Sequence, residues 1–134
     1  MTTQRKVVRT CDVMTDEFAM VDGLMTVSEA LKIFQEQDAR VLIINKRNDD
    51  DEFGLLLLSD IAKKVVAKDR SPERVNVYEV MAKPVISVDP HMDIRYCTRL
   101  FENFGLAHAP VIDKGRVLGV VSYRSIVLKG LLEN

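Results

Sequence analysis

The sequence predicts a mixed α+β protein made of two β-α-β-β-α repeats related by a pseudo-twofold, each a small mixed sheet packed with helices. Three observations carry this reading. The chain of 134 residues aligns with itself at an offset of 67. Each half alternates short β-branched runs with stretches of helical periodicity. Neither half alone has much core, and two copies can bury their sheets against each other.

At that offset Val13 falls on Val80, Met14 on Met81, Val21 and Asp22 on Val88 and Asp89, Met25 on Met92, and Phe34 on Phe101. Further on, hairpins of different length shift the register. Asn45 then faces Asp113, Gly54 faces Gly119, and Ile61 faces Ile126. The organisation expected is a first repeat over 8–70, a linker over 71–79 and a second repeat over 80–134.

In the first repeat, residues 18–21 form a short apolar strand. Thr26 or Ser28 caps a helix, in which Val27, Ala30, Leu31 and Phe34 recur at i, i+3, i+4 and i+7. Residues 41–44 are a buried strand, 48–52 a polar turn, and 53–58 the returning strand. Ser59 caps a second helix that turns Ile61, Ala62, Val65 and Val66 inward. Ser71-Pro72 breaks the chain, and 76–81 reads as a short linker helix.

The second repeat opens with a strand over 85–88. Asp93 then starts a helix with Ile94, Cys97, Phe101 and Phe104 inward, ended by Gly105. Val111 and Ile112 lie in the next strand, Lys114-Gly115 makes the tight turn, and 116–122 is the returning strand. Ser122 or Tyr123 begins the last helix, with Ile126, Val127 and Leu131 inward.

Composition narrows the function classes. With 19 basic and 20 acidic residues, a net charge of −1 and a pI near 6.1, the chain lacks the surplus that drives nucleic-acid binding. Arg5, Lys6 and Arg9 on the N-terminal arm read as solvated charges. No apolar run approaches the ~20 residues of a membrane span, and no targeting segment is expected. Cys11 and Cys97 are too few for a disulfide scaffold and fit a reducing cytoplasm, Cys97 as a buried small hydrophobe. Cys11, Cys97, His91 and His108 lack zinc-like spacing, and residues 48–52 lack the pattern of a calcium loop. No metal is expected, and no acid–base pair, activated nucleophile or glycine-rich phosphate loop marks an enzyme.

The segments Glu79-Val80-Met81-Ala82-Lys83-Pro84-Val85-Ile86-Ser87-Val88-Asp89-Pro90, His108-Ala109-Pro110-Val111-Ile112-Asp113 and Gly119-Val120-Val121-Ser122-Tyr123-Arg124-Ser125-Ile126 carry a family resemblance. Their counterparts are Asp12-Val13-Met14-Thr15, Val41-Leu42-Ile43-Ile44-Asn45 and Gly54-Leu55-Leu56-Leu57-Leu58-Ser59-Asp60-Ile61. Order, spacing and duplication together resemble a tandem pair of CBS domains, from about Val8 to the end. The resemblance implies a sensor, with a cleft between repeats that holds AMP, ADP, ATP or S-adenosylmethionine. The family motif runs Gly, two apolar residues, Ser or Thr, two variable residues, then Asp. Its hydroxyl contacts phosphate, and its Asp accepts from the ribose hydroxyls.

Each repeat here keeps half of that motif. The first has Asp60, with Leu57 at the hydroxyl position. The second has Ser122, with Ser125 at the carboxylate position. Lys83, beside Pro84, and His108 are further candidates for facing a phosphate at the cleft mouth. The expected function is a stand-alone regulatory pair that senses an adenosine-containing ligand and modulates an unidentified partner. The alternative is a ligand-free dimerisation or protein-interaction module. A homodimer is expected, because Ile33, Leu100, Leu128 and Leu132 need cover; neither nucleic acid nor membrane is expected as a partner.

Overall fold

The structure is a computed structural model in which residues 6–133 are described. Arg5 of the basic arm lies outside the described residues. The described residues form two compact units, one made of residues 17–85 and the other of residues 6–16 together with 86–133.

The 17–85 unit holds a three-stranded mixed sheet in the order β1-β2-β3. β1 (Phe18–Val21) runs parallel to β2 (Val41–Ile44), and β3 (Gly54–Leu56) returns antiparallel to β2. The parallel pair requires a crossover, supplied by α2 (Val27–Glu36). Thr26 caps α2 as expected: its Oγ1 accepts from the Glu29 amide at 3.1 Å, and the Glu29 carboxylate accepts from Thr26 N–H at 3.3 Å. Val27, Ala30 and Phe34 are buried against Leu42, Ile44, Leu56, Val77 and Val80, whereas Leu31 faces outward.

The returning strand is shorter than 53–58. Leu57 leaves the sheet to become the N-cap residue of α3 (Leu58–Ile61), because the Asp60 carboxylate accepts its N–H at 2.9 Å. Ser59 is therefore inside the helix rather than its cap. A π-helical stretch, Ala62–Val66, follows. Only Ile61 and Val65 are buried there; Ala62 and Val66 are exposed, since a residue one position on lies roughly a quarter of a turn away from a narrow apolar stripe. The expected linker helix is a single 3₁₀ turn, Val77–Glu79.

The other unit holds an antiparallel pair, β4 (His108–Asp113) and β5 (Arg116–Ser122). Lys114 (φ 52°) and Gly115 (φ 75°) form the turn, both left-handed as a two-residue hairpin demands. α4 (Ile94–Phe104) is capped by Asp93 and stopped by Gly105 at φ 63°. Cys97 and Phe101 are buried, while Phe104 stands exposed at the helix end.

Residues 85–88 do not form the expected strand. Val88 makes one parallel bridge to Val111, donating to the Pro110 carbonyl and accepting from Ile112. The next bond of that ladder would need the N–H of residue 110, which is a proline without one. α5 (Tyr123–Val127) starts at Ser122 and runs into a π-helical stretch, Leu128–Glu133; Ile126 is buried, but Val127 and Leu131 are exposed. α1 (Thr10–Val13) belongs to this unit, and Arg9 beside it is not simply solvated, because its Nη1 donates to the His91 carbonyl at 2.6 Å.

The segments preceding the repeats are placed by the sheets. Thr15 exchanges backbone hydrogen bonds with Val120 of β5, and Ala82 does the same with Leu55 of β3. Each sheet edge thus receives one residue of the segment that the repeat alignment assigns to the other copy.

Candidate functional site

Asp60 in one unit, and Ser122 and Ser125 in the other, lie where a returning strand enters a helix. In the 17–85 unit this is the Leu57–Asp60 turn. Leu57 has no hydroxyl to cap the helix, and among the described residues the side-chain help at this N-terminus comes from Asp60. One carboxylate oxygen, Oδ2, holds Leu57 N–H; the other, Oδ1, makes no hydrogen bond with the described residues. Asp60 is half-buried and can accept from a diol at the position where helix N–H groups favour negative charge.

In the other unit the same positions are Ser122 and Ser125. Ser122 Oγ accepts from Ser125 N–H at 3.1 Å, and Ser125 Oγ accepts from Ser122 N–H at 3.0 Å. Ser125 Oγ also donates to the Ser122 carbonyl at 3.1 Å. Ser125 is buried, and the two hydroxyls form a reciprocal capping box. Ser125 and Asp60 do the same backbone job in their units, each accepting the N–H of the residue three before it. His108 opens β4 directly opposite Ser122 in the β4–β5 register, half-buried.

Lys83 and Pro84 follow Ala82 on the edge of β3, joined by a cis peptide bond. Lys83 does not stand open. Its Nζ is 2.6 Å from Asp51 Oδ1, and Asp51 Oδ2 also accepts from Arg47 N–H at 2.8 Å and Arg47 Nε at 3.1 Å. The Lys83 ammonium, and then Arg47, hold the Asp51 carboxyl far below the usual carboxylate range.

A cavity of about 640 Å³ lies in this unit, lined by Lys83 with Asp22, Asn45, Lys46, Arg47 and Tyr78 among others. Of the sequence candidates only Lys83 reaches it. Gly54 bounds the packing beside it, since a Cβ there would meet Met81 Sδ at 2.5 Å. No motif in the sequence marks this cavity; it arises because the 46–53 hairpin and the 78–83 segment meet at one end of β2.

The CBS-domain family model matches residues 11–67 and 77–130. The chain belongs to the CBS-domain family, as a tandem pair. It is 28% identical over 102 residues to an uncharacterised protein of Methanopyrus kandleri, covering 75% of this chain and 51% of that one. A CBS domain-containing protein of Bacillus subtilis, YhcV, is 24% identical over 111 residues, 83% of this chain and 77% of the relative. The chain thus spans about half the length of the Methanopyrus protein. Among solved structures, a hexameric CBS-CP12 protein from bloom-forming cyanobacteria is 34% identical with a TM-score of 0.89, covering 93% of this chain and 72% of that one. The fold also matches the CBS domain pair of protein MJ0100, solved with 5′-methylthioadenosine and S-adenosylmethionine, at TM-score 0.76 and 20% identity over 90% of this chain and 94% of that one.

Proposed function

We propose that this CBS pair is a regulatory, non-catalytic module that binds an adenosine-containing ligand and modulates a partner protein. The observation that carries this is Asp60: a carboxylate at a helix start with one oxygen engaged by backbone and the other, Oδ1, unbonded among the described residues. The MJ0100 pair, which shares the fold, binds adenosyl ligands. AMP, ADP, ATP and S-adenosylmethionine are the ligands to screen, with Lys83 as a candidate phosphate contact and Pro84 a candidate nucleotide contact in the unit of Asp60, and with His108 as a candidate phosphate contact beside the weaker half-site of Ser122 and Ser125. Two free cysteines fit a reducing cytoplasm. Binding regulates only through different affinity for two arrangements of the protein.

Thermal-shift measurements with each ligand test this, because a ligand that binds only the native state raises the midpoint. A rise for one of them that disappears in Asp60→Ala is the expected result. No rise at millimolar ligand overturns the reading. The second reading is a ligand-free interaction module, favoured by the capping box that engages both Ser122 and Ser125.

A further inference from the structure

The cavity beside Lys83 lies away from the Asp60 turn. β3 pairs antiparallel to β2 with Leu56 opposite Leu42 and Gly54 opposite Ile44. Asp60 follows the Leu56 end. The cavity is lined by Ile44 and Asn45, at the Gly54 end, about 10 Å along the strands by the usual rise per residue. It is therefore a separate feature from the Asp60 turn; Lys83 is common to both readings, and the variants that test the cavity alter other residues.

Its chemistry is specific. Lys46, Arg47 and Lys83 line it against a single lining carboxylate, Asp22, which is engaged by Leu24 N–H at 2.8 Å. Tyr78, a lining residue 52% exposed overall, has its backbone N–H anchored to the Gly23 carbonyl. At the wall, Lys83 Nζ, Arg47 Nε and Arg47 N–H converge on one oxyanion, the carboxylate of Asp51, whose side chain is only 7% exposed. An ammonium, a guanidinium and a backbone N–H converging on one acceptor are the components of a phosphate site. The volume suits a small organic ligand.

We propose that this cavity is a second binding site, for a small aromatic phosphate monoester. The ring rests on Tyr78, the phosphate takes Arg47 and Lys83, and Asp51 is the internal anion that competes for the same two cations.

The probe is phenyl phosphate, titrated into the whole chain by calorimetry and by amide chemical-shift mapping. Phenol and inorganic phosphate serve as the separated halves. Phenyl phosphate is expected to bind at least tenfold more tightly than either half, with amide shifts at 22–24, 45–47 and 78. Arg47→Gln and Tyr78→Ala are each expected to weaken it about tenfold, and Asp51→Asn to strengthen it. Arg47 and Tyr78 are exposed, so both variants are expected to fold. Absence of saturable binding overturns the proposal. So do shifts confined to 57–60, equal affinity for inorganic phosphate, or weaker binding in Asp51→Asn. Failure of the adenosyl reading leaves these outcomes untouched, because no adenosyl compound is used.

Discussion

A single oxygen separates the two half-motifs. Asp60 and Ser125 both accept the N–H of their N-cap residue, but Ser125 directs its proton to the Ser122 carbonyl, whereas Asp60 Oδ1 is unbonded among the described residues. Ser125→Asp is expected to strengthen AMP binding about tenfold, equivalent to ~1.4 kcal/mol. Desolvation of the new carboxylate at this buried position reduces the gain; calorimetry on both proteins measures the net. Cysteine chemistry divides equally clearly. Burial pushes the Cys97 thiol up to about 11, while Cys11 is partly exposed. Ellman's reagent is expected to titrate one thiol in the native protein and two in denaturant.

At the scale of elements, α4 owes its start to Asp93. Its Oδ1 accepts Arg95 N–H at 2.8 Å, and its Oδ2 is 2.7 Å from Arg95 Nη2. The Arg95 side chain, then its N–H, lowers the Asp93 pKa from 3.8 to about 2. A depressed carboxylate stabilises the fold above its unfolded value, and that contribution fades as pH falls from 3.8 to about 2. Asp93→Asn preserves the cap but not the charge. Its melting temperature is expected to lie below wild type at neutral pH, with the gap closing across that acid window in a thermal-melt series. The edge of β5 sets a second test. A Cβ on Gly119 would sit 2.9 Å from the Thr15 carbonyl oxygen and 3.0 Å from Met14 Sδ. Gly119→Ala is expected to cost about 1–3 kcal/mol in urea unfolding, because backbone cannot yield as a flexible side chain can.

For the whole molecule, the helical apolar surface points to self-association. Leu132 is 79% exposed and Phe104 60%, with Tyr96 and Leu131 also open, whereas Ile33 and Leu100 pack against the cores of their own units. Large apolar side chains this exposed favour cover, and twofold pairing is the commonest solution. Light scattering at micromolar concentration is expected to give twice the 15.2 kDa chain mass, and Leu132→Glu with Phe104→Glu to return it to monomer. A monomer mass for the unmodified chain counts against the homodimer.

Local chemistry made much of this protein legible from sequence. β1, β2 and β5, the Thr26, Asp93 and Ser122 caps, the Lys114-Gly115 turn and the Gly105 stop all follow from residues within a few positions of one another. The duplicated segments were enough to indicate the family. The tertiary structure decided what depends on distant partners. It took Leu57 out of β3 and reduced 85–88 to a single bridge at Val88, because Pro110 cannot donate the next bond of that ladder. It exposed Leu31, Val66, Phe104, Val127 and Leu131, since helical periodicity names a stripe but not how much of it a neighbour covers. It paired Thr15 with Val120 and Ala82 with Leu55, and joined Lys83 to Asp51 beside a cavity. These are contacts between segments far apart in the chain, and which segments meet is set by how the sheet edges and hairpins close rather than by the residues beside them.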